Sequence, residues 1–139
     1  MTRVIRPNEG VGEITFGMSQ QEVRRAMGGM DPLPKATDSS IPADFYPDRS
    51  MIIHYSADGV VEAIEIGGEG ATTLLNRTLI GHPFDEVLQW MRSIDPRTEA
   101  DEAGLTSFRF GIGVYAPHAL KSPKDPVEGV IAFRPGYYG

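Results

Sequence analysis

The stretch Phe16-Gly17-Met18-Ser19-Gln20-Gln21-Glu22-Val23-Arg24-Arg25-Ala26-Met27 is echoed 64 positions further on, and the echo limits the folds open to this chain. The shift pairs Gly17 with Gly81, Glu22 with Glu86, Val23 with Val87, Met27 with Met91, Asp31 with Asp95 and Pro32 with Pro96. The chain looks duplicated, and the expectation is two copies of one unit folding into a shared platform. With 139 residues, 40% of them hydrophobic, the expected organisation is one domain over 1–139, with pseudo-repeats at 12–70 and 76–135.

Each copy reads as strand, helix, hairpin. Gly12 to Phe16 alternates apolar and polar residues, as a short half-buried strand does. Ser19 and Glu22 have the spacing of a capping box and start a helix. Val23, Ala26, Met27 and Met30 give that helix one apolar face, with Arg24 and Arg25 turned outward. Residues 31–50 hold four prolines and read as a connection crossing the surface. Met51–Tyr55 and Val60–Ile66, joined through Ser56-Ala57-Asp58-Gly59, read as a hairpin with a type I′ turn. Ala71 to Asn76 is long enough for a short helix.

The pattern then restarts with Arg77–Gly81 as strand and turn. Pro83 takes a first helical position, and Phe84, Val87, Leu88, Met91 and Ile94 form a buried stripe. Thr106–Tyr115 reads as one long strand with Phe108, Phe110, Ile112 and Val114 on one side. Tyr115 is matched to Tyr55 and Val127–Val130 to Val61–Ile64, which puts the extra length of the second hairpin in residues 116–126. The expected fold class is α+β: an antiparallel sheet with helices on one face, built from two strand-helix-hairpin repeats related by a pseudo-twofold axis. The opposite sheet face is left to solvent or a partner.

Composition narrows the function classes. The formal charge is −6, and the first seventy residues carry most of the excess acid. Basic residues are scattered singly, which argues against nucleic acid and favours a basic protein partner. Cysteine is absent, excluding disulfides, thiolate metal sites and cysteine nucleophiles. The N-terminus carries no apolar run of signal-peptide length and no window approaches a membrane span, so the expectation is a cytoplasmic protein without a membrane role.

Gly12 to Val23 resembles the opening motif of the β-lactamase-inhibitor-protein-like tandem-repeat superfamily, to which the small lipoprotein of the outer-membrane assembly machinery is also similar. The resemblance spans nearly the whole chain in organisation and is specific over about a dozen residues, twice. It implies helices on one side of a curved antiparallel sheet whose concave side engages a protein. This chain departs from that pattern in lacking an export signal, a lipidated cysteine and disulfides. A bacterial immunity or antitoxin-like inhibitor on the same scaffold remains compatible.

Chemical motifs point the same way. His54, His82 and His118 have no mutual spacing that proposes a metal site. Gly111, Gly113 and Ala116 match a dinucleotide fingerprint by letter, but Pro117 and the strand pattern deny it the helix that motif needs. The expectation is therefore a non-enzymatic protein-binding module with no cofactor and no metal. Its partner-binding candidates are Asp44, Phe45, Tyr46 and Asp48 in the proline-bounded connection, His54 on the strand face opposite Met51, Ile53 and Tyr55, His118 in the long loop, and Tyr137 and Tyr138 in the tail. The alternative is a small-ligand-binding protein or enzyme using the concave face, with His54, Tyr55 and Asp44 as its polar groups. A homodimer through paired sheets is a third arrangement.

Overall fold

A computed structural model describes residues 2–28, 31–32, 41–68 and 71–138. In chain order these form β1 (Thr2–Arg6), β2 (Gly10–Val11), β3 (Ile14–Thr15), α1 (Gln20–Met27), β4 (Asp31–Pro32), β5 (Asp44–Tyr46) and a 3-10 turn (Pro47–Arg49). Then come β6 (Met51–Tyr55), β7 (Val61–Gly67), β8 (Ala71–Leu74), β9 (Arg77–Thr78) and α2 (Phe84–Ile94). The chain ends with β10 (Glu99–Asp101), β11 (Gly104–Ser107), β12 (Ile112–Tyr115) and β13 (Gly129–Phe133). Met30, expected at the end of the first helix's stripe, lies outside the described residues.

The fold is α+β with two sheets. The larger has eight strands in the order β10-β11-β12-β13-β7-β6-β5-β4, every neighbouring pair antiparallel. The smaller, of order β3-β2-β1-β8-β9, is antiparallel except where β1 runs parallel to β8. Strand pairing fixes which residues share a face, because partners directly opposite project the same way. Asp44 and Tyr46 face the same side as Ile53 and Met51, which pair with Ile64 and Ile66; beyond these lie Ala132 and Val130, then Ile112 and Val114. That side is buried in one cluster with Val23 of α1, with Phe84, Val87 and Met91 of α2, and with Ile5, Val11 and Leu74 of the smaller sheet. The layer over the core is therefore two helices and a second sheet.

Several local readings are corrected. Ala71–Leu74 is a strand, not a helix: Thr72 and Leu74 are buried while β1 supplies the hydrogen-bonding partner. Leu75 and Asn76, at φ of 51° and 65°, form the two-residue turn into β9. The Asp58-Gly59 turn has positive φ at Gly59 alone (83°), so it is not the type I′ turn expected there. Thr106–Tyr115 is not one strand: residues 108–111 turn, and β11 folds back on β12 with Ser107 opposite Ile112. Residues 44–46 are a strand rather than a surface crossing. Ala26 is exposed, and Arg24, exposed as expected, pairs with the buried Asp44.

The two helices start by different means. Ser19 caps α1 through a full capping box: its hydroxyl accepts from Glu22 N, and the Glu22 carboxylate accepts from Ser19 N. That pairing also lowers the pKa of Glu22, the Ser19 backbone bond being the larger cause. Pro83 precedes α2 and offers no side-chain cap. There the 116–126 loop stands in: the carbonyls of Asp125 and Pro123 accept from Phe84 N (2.9 Å) and Asp85 N (2.8 Å).

Candidate functional site

The other face of the large sheet carries a trough of about 640 Å³. Register places Ile52 and His54 of β6, Glu65 and Gly67 of β7, Gly129 and Ile131 of β13 and Gly113 and Tyr115 of β12 on this face. The floor is low because four adjoining strands contribute Gly67, Gly129, Gly113 and Gly104. At Gly113 a Cβ would sit 2.8 Å from the Ile131 side chain, so a side chain there would collide with the neighbouring strand. Phe45, Tyr115 and Tyr138 line the trough, and Tyr115 and Tyr138 are more than half exposed.

The C-terminal tail builds one end wall. Phe133, itself buried, meets Tyr138 edge-on at 4.9 Å between ring centroids and Tyr137 at 5.8 Å; Phe108 closes on Tyr138 at 6.0 Å. Burial in this cluster raises the pKa of Tyr137, helped by Tyr138 and by Glu62 and Glu65. Arg134 pairs with Glu62 at 3.3 Å and holds the start of the tail to β7. Beside the wall, His54 Nε2 lies 3.2 Å from Glu65 Oε2, and this contact lowers the pKa of Glu65 against a smaller opposing effect of burial.

The sequence-derived candidates divide accordingly. Phe45, His54, Tyr137 and Tyr138 are gathered on or beside the trough. Asp44 and Tyr46 are not surface residues: they are 0% and 1% exposed and face the core. Arg24 donates to both carboxylate oxygens of Asp44 (Nε to Oδ2 3.0 Å, Nη2 to Oδ1 2.8 Å), the Tyr55 hydroxyl donates to Oδ2 at 3.0 Å, and Gln20 Nε2 lies 3.3 Å from Oδ1. This is a packing device joining α1 to β5 and β6. Burial first and Asp44 second drive the Tyr55 pKa far upward. Asp48 is exposed on the 3-10 turn, away from the trough lining. His118 is exposed in the 116–126 loop, beside a smaller hollow that shares Tyr115 with the trough.

Tyr115, Ile131, Glu65 and Asp101 are trough residues that sequence reasoning passed over. Tyr115 was matched with the buried Tyr55, yet burial follows another phase: Met51, Ile53 and Tyr55 correspond in exposure to Ile112, Val114 and Ala116. An offset of 61 rather than 60 sets buried against buried along the whole of β6 and β12. Alternation along Ile112 and Val114, read as one face, would have put the next residue, Tyr115, outward.

The polar groups of the trough do not converge. Glu65 on β7 and Thr106 on β11 are separated by β13 and β12, three strand spacings or roughly 14 Å along the sheet. Such an arrangement offers a broad contact surface more readily than an acid and base on one reacting atom. Among the described residues no helix is long and apolar enough to cross a membrane. Compared with family models, curated proteins and solved structures, the chain finds no match in any of the three.

Proposed function

We propose that this chain is a non-enzymatic binding protein that blocks a partner polypeptide by covering it with the open face of its large sheet. The observation that carries this reading is the trough, uncovered among the described residues, with Phe45, Tyr115 and Tyr138 along it. Tyrosines standing over an apolar floor combine large buried area with a polar tip, the composition found at the energetic centres of protein interfaces. The spread of Glu65, Thr106 and Asp101 over several strands favours it over catalysis. In its biological form we read an inhibitor or immunity protein, following the resemblance of Gly12–Val23 to the tandem-repeat inhibitors.

The scaffold behind that face is, on this reading, two copies of one unit about a pseudo-twofold axis between β7 and β13. It is supported by a strand order that reads alike from either end, β4 to β7 answering β10 to β13. Equivalent backbone bonds support it further. Gly17 N donates to Val61 O and Val61 N to Met18 O; 64 to 66 residues on, Gly81 N donates to Val127 O and Val127 N to His82 O.

The test is sedimentation of the purified chain with the product of the neighbouring gene. Wild type is expected to form a complex, and Tyr115→Ala with Tyr138→Ala to weaken it more than about tenfold, as loss of central aromatic anchors does. No complex, or one indifferent to both changes, overturns the proposal. A small-ligand reading has one observation in its favour, a volume inside the about 300–1,000 Å³ of small-molecule sites.

A further inference from the structure

The carboxylates of the open face stand at its two sides, one of them, Glu65, with His54 beside it at 3.2 Å. Glu99 and Asp101 of the edge strand β10 lie opposite Thr106 and Gly104, which places both carboxylates on the trough side, and Glu65 stands on β7. Four strand spacings, roughly 19 Å, separate these two acidic rows. Between them lies the low floor of glycines with Ile131, and the charged residues among those lining the trough are Glu65 and Asp101.

A second copy of the chain is a poor occupant, since two such faces would set carboxylates against carboxylates between molecules each of charge −6. A helix about 10–12 Å across fits between the rows. Its apolar stripe would lie on Ile131 and the glycines, while lysines or arginines on its flanks reach the carboxylates and the faces of Tyr115 and Tyr138.

We infer that the open face is selective for a cationic amphipathic segment, an apolar stripe flanked by Lys or Arg, supplied by the partner polypeptide. This rests on the reading of that face as a polypeptide-binding surface.

The probes are a synthetic amphipathic peptide with a leucine stripe flanked by lysines and its counterpart with glutamate at each lysine, followed by fluorescence anisotropy at low and high ionic strength. The lysine peptide is expected to bind and the glutamate peptide not. Glu65→Gln with Asp101→Asn should weaken binding about fivefold to tenfold and flatten its salt dependence, the scale of two exposed ion pairs. Asp58→Asn with Glu86→Gln, acids off the trough, should change it less than about twofold.

Gly67→Trp should abolish binding with the fold intact, because Gly67 lies in a strand and a Cβ there meets only Glu128 O, at 3.8 Å. Ile131→Asp is a second block should the tryptophan disturb β7. If both peptides bind alike and both blocks remove them, or if the remote acids matter as much as Glu65 and Asp101, the cationic selectivity is overturned and the binding face stands. If neither peptide binds, or neither block matters, the polypeptide-binding reading falls as well.

Discussion

Two buried tyrosines, nine positions apart, make opposite demands on the core. The Tyr55 hydroxyl donates to Asp44, whereas the Tyr46 hydroxyl has no hydrogen-bond partner among the described residues. Removing a hydroxyl that serves a buried carboxylate leaves that charge less satisfied; removing an unpaired one relieves a desolvation penalty. Tyr55→Phe is therefore expected to cost about 1.5–3 kcal/mol, and Tyr46→Phe to be neutral or stabilising by up to about 1 kcal/mol. Urea midpoints decide it, and equal losses at both positions would refute the assignment. Glu65 gives a pH test. Its folded pKa lies below the ordinary value of 4.5 because of His54, so its contribution is complete above that value and lost as pH falls through the folded pKa. The carboxylate is about half exposed, so the effect is small, below about 0.5 kcal/mol. Between pH 6 and 3 the stability gap between wild type and Glu65→Gln should shrink as pH falls below about 4.5. A gap that is constant from pH 6 down to 3 would contradict it. None of the Asp44 network was legible in sequence, because an acid among prolines reads as surface until strand pairing turns it inward.

At the scale of elements, Leu75 is a place where residue type and backbone disagree openly. It occupies φ of 51° in the β8–β9 turn and is 53% exposed, so it has left-handed strain without burial to offset it. Asparagine tolerates that region, and Leu75→Asn should stabilise the protein by about 0.5–1 kcal/mol, read as a rise in thermal midpoint. A loss would mean that the leucine makes a contact worth more than the strain. The same turn shows where sequence reading stops. Ser19 and Glu22 announced α1 because a capping box is complete within four residues, and the stripe of α2 was legible because Phe84, Val87 and Met91 are all buried. Ala71–Leu74 carried no such local signal, since its state is set by β1, nearly seventy residues away. Phe108 and Phe110 kept the alternation of a strand while lying in a turn, so period alone could not find the break at Gly111, whose φ is 65°.

For the molecule as a whole, stability should be ordered from the middle of the large sheet outward. β7 and β13 pair along Ala63 to Gly67 and Gly129 to Phe133, with three strands on either side. Freeing either strand requires opening the core beneath both helices, since Ile64, Ile66, Val130 and Ala132 belong to the same buried cluster as Val23 and Met91. The outermost strands β4 and β10 are two and three residues long and have a neighbour on one side only. Local openings of low cost belong there, and the amides of the central strands exchange only in openings that approach global unfolding. Native-state hydrogen exchange should therefore find Ile64, Ile66, Val130 and Ala132 the slowest, with protection falling through β6 and β5 on one side and through β12 and β11 on the other. The fall should be similar in both directions if two copies of one unit share this core. Faster exchange throughout residues 99–133 than throughout 44–67 would show instead that the halves open independently, and the shared platform behind the trough would be lost with that result.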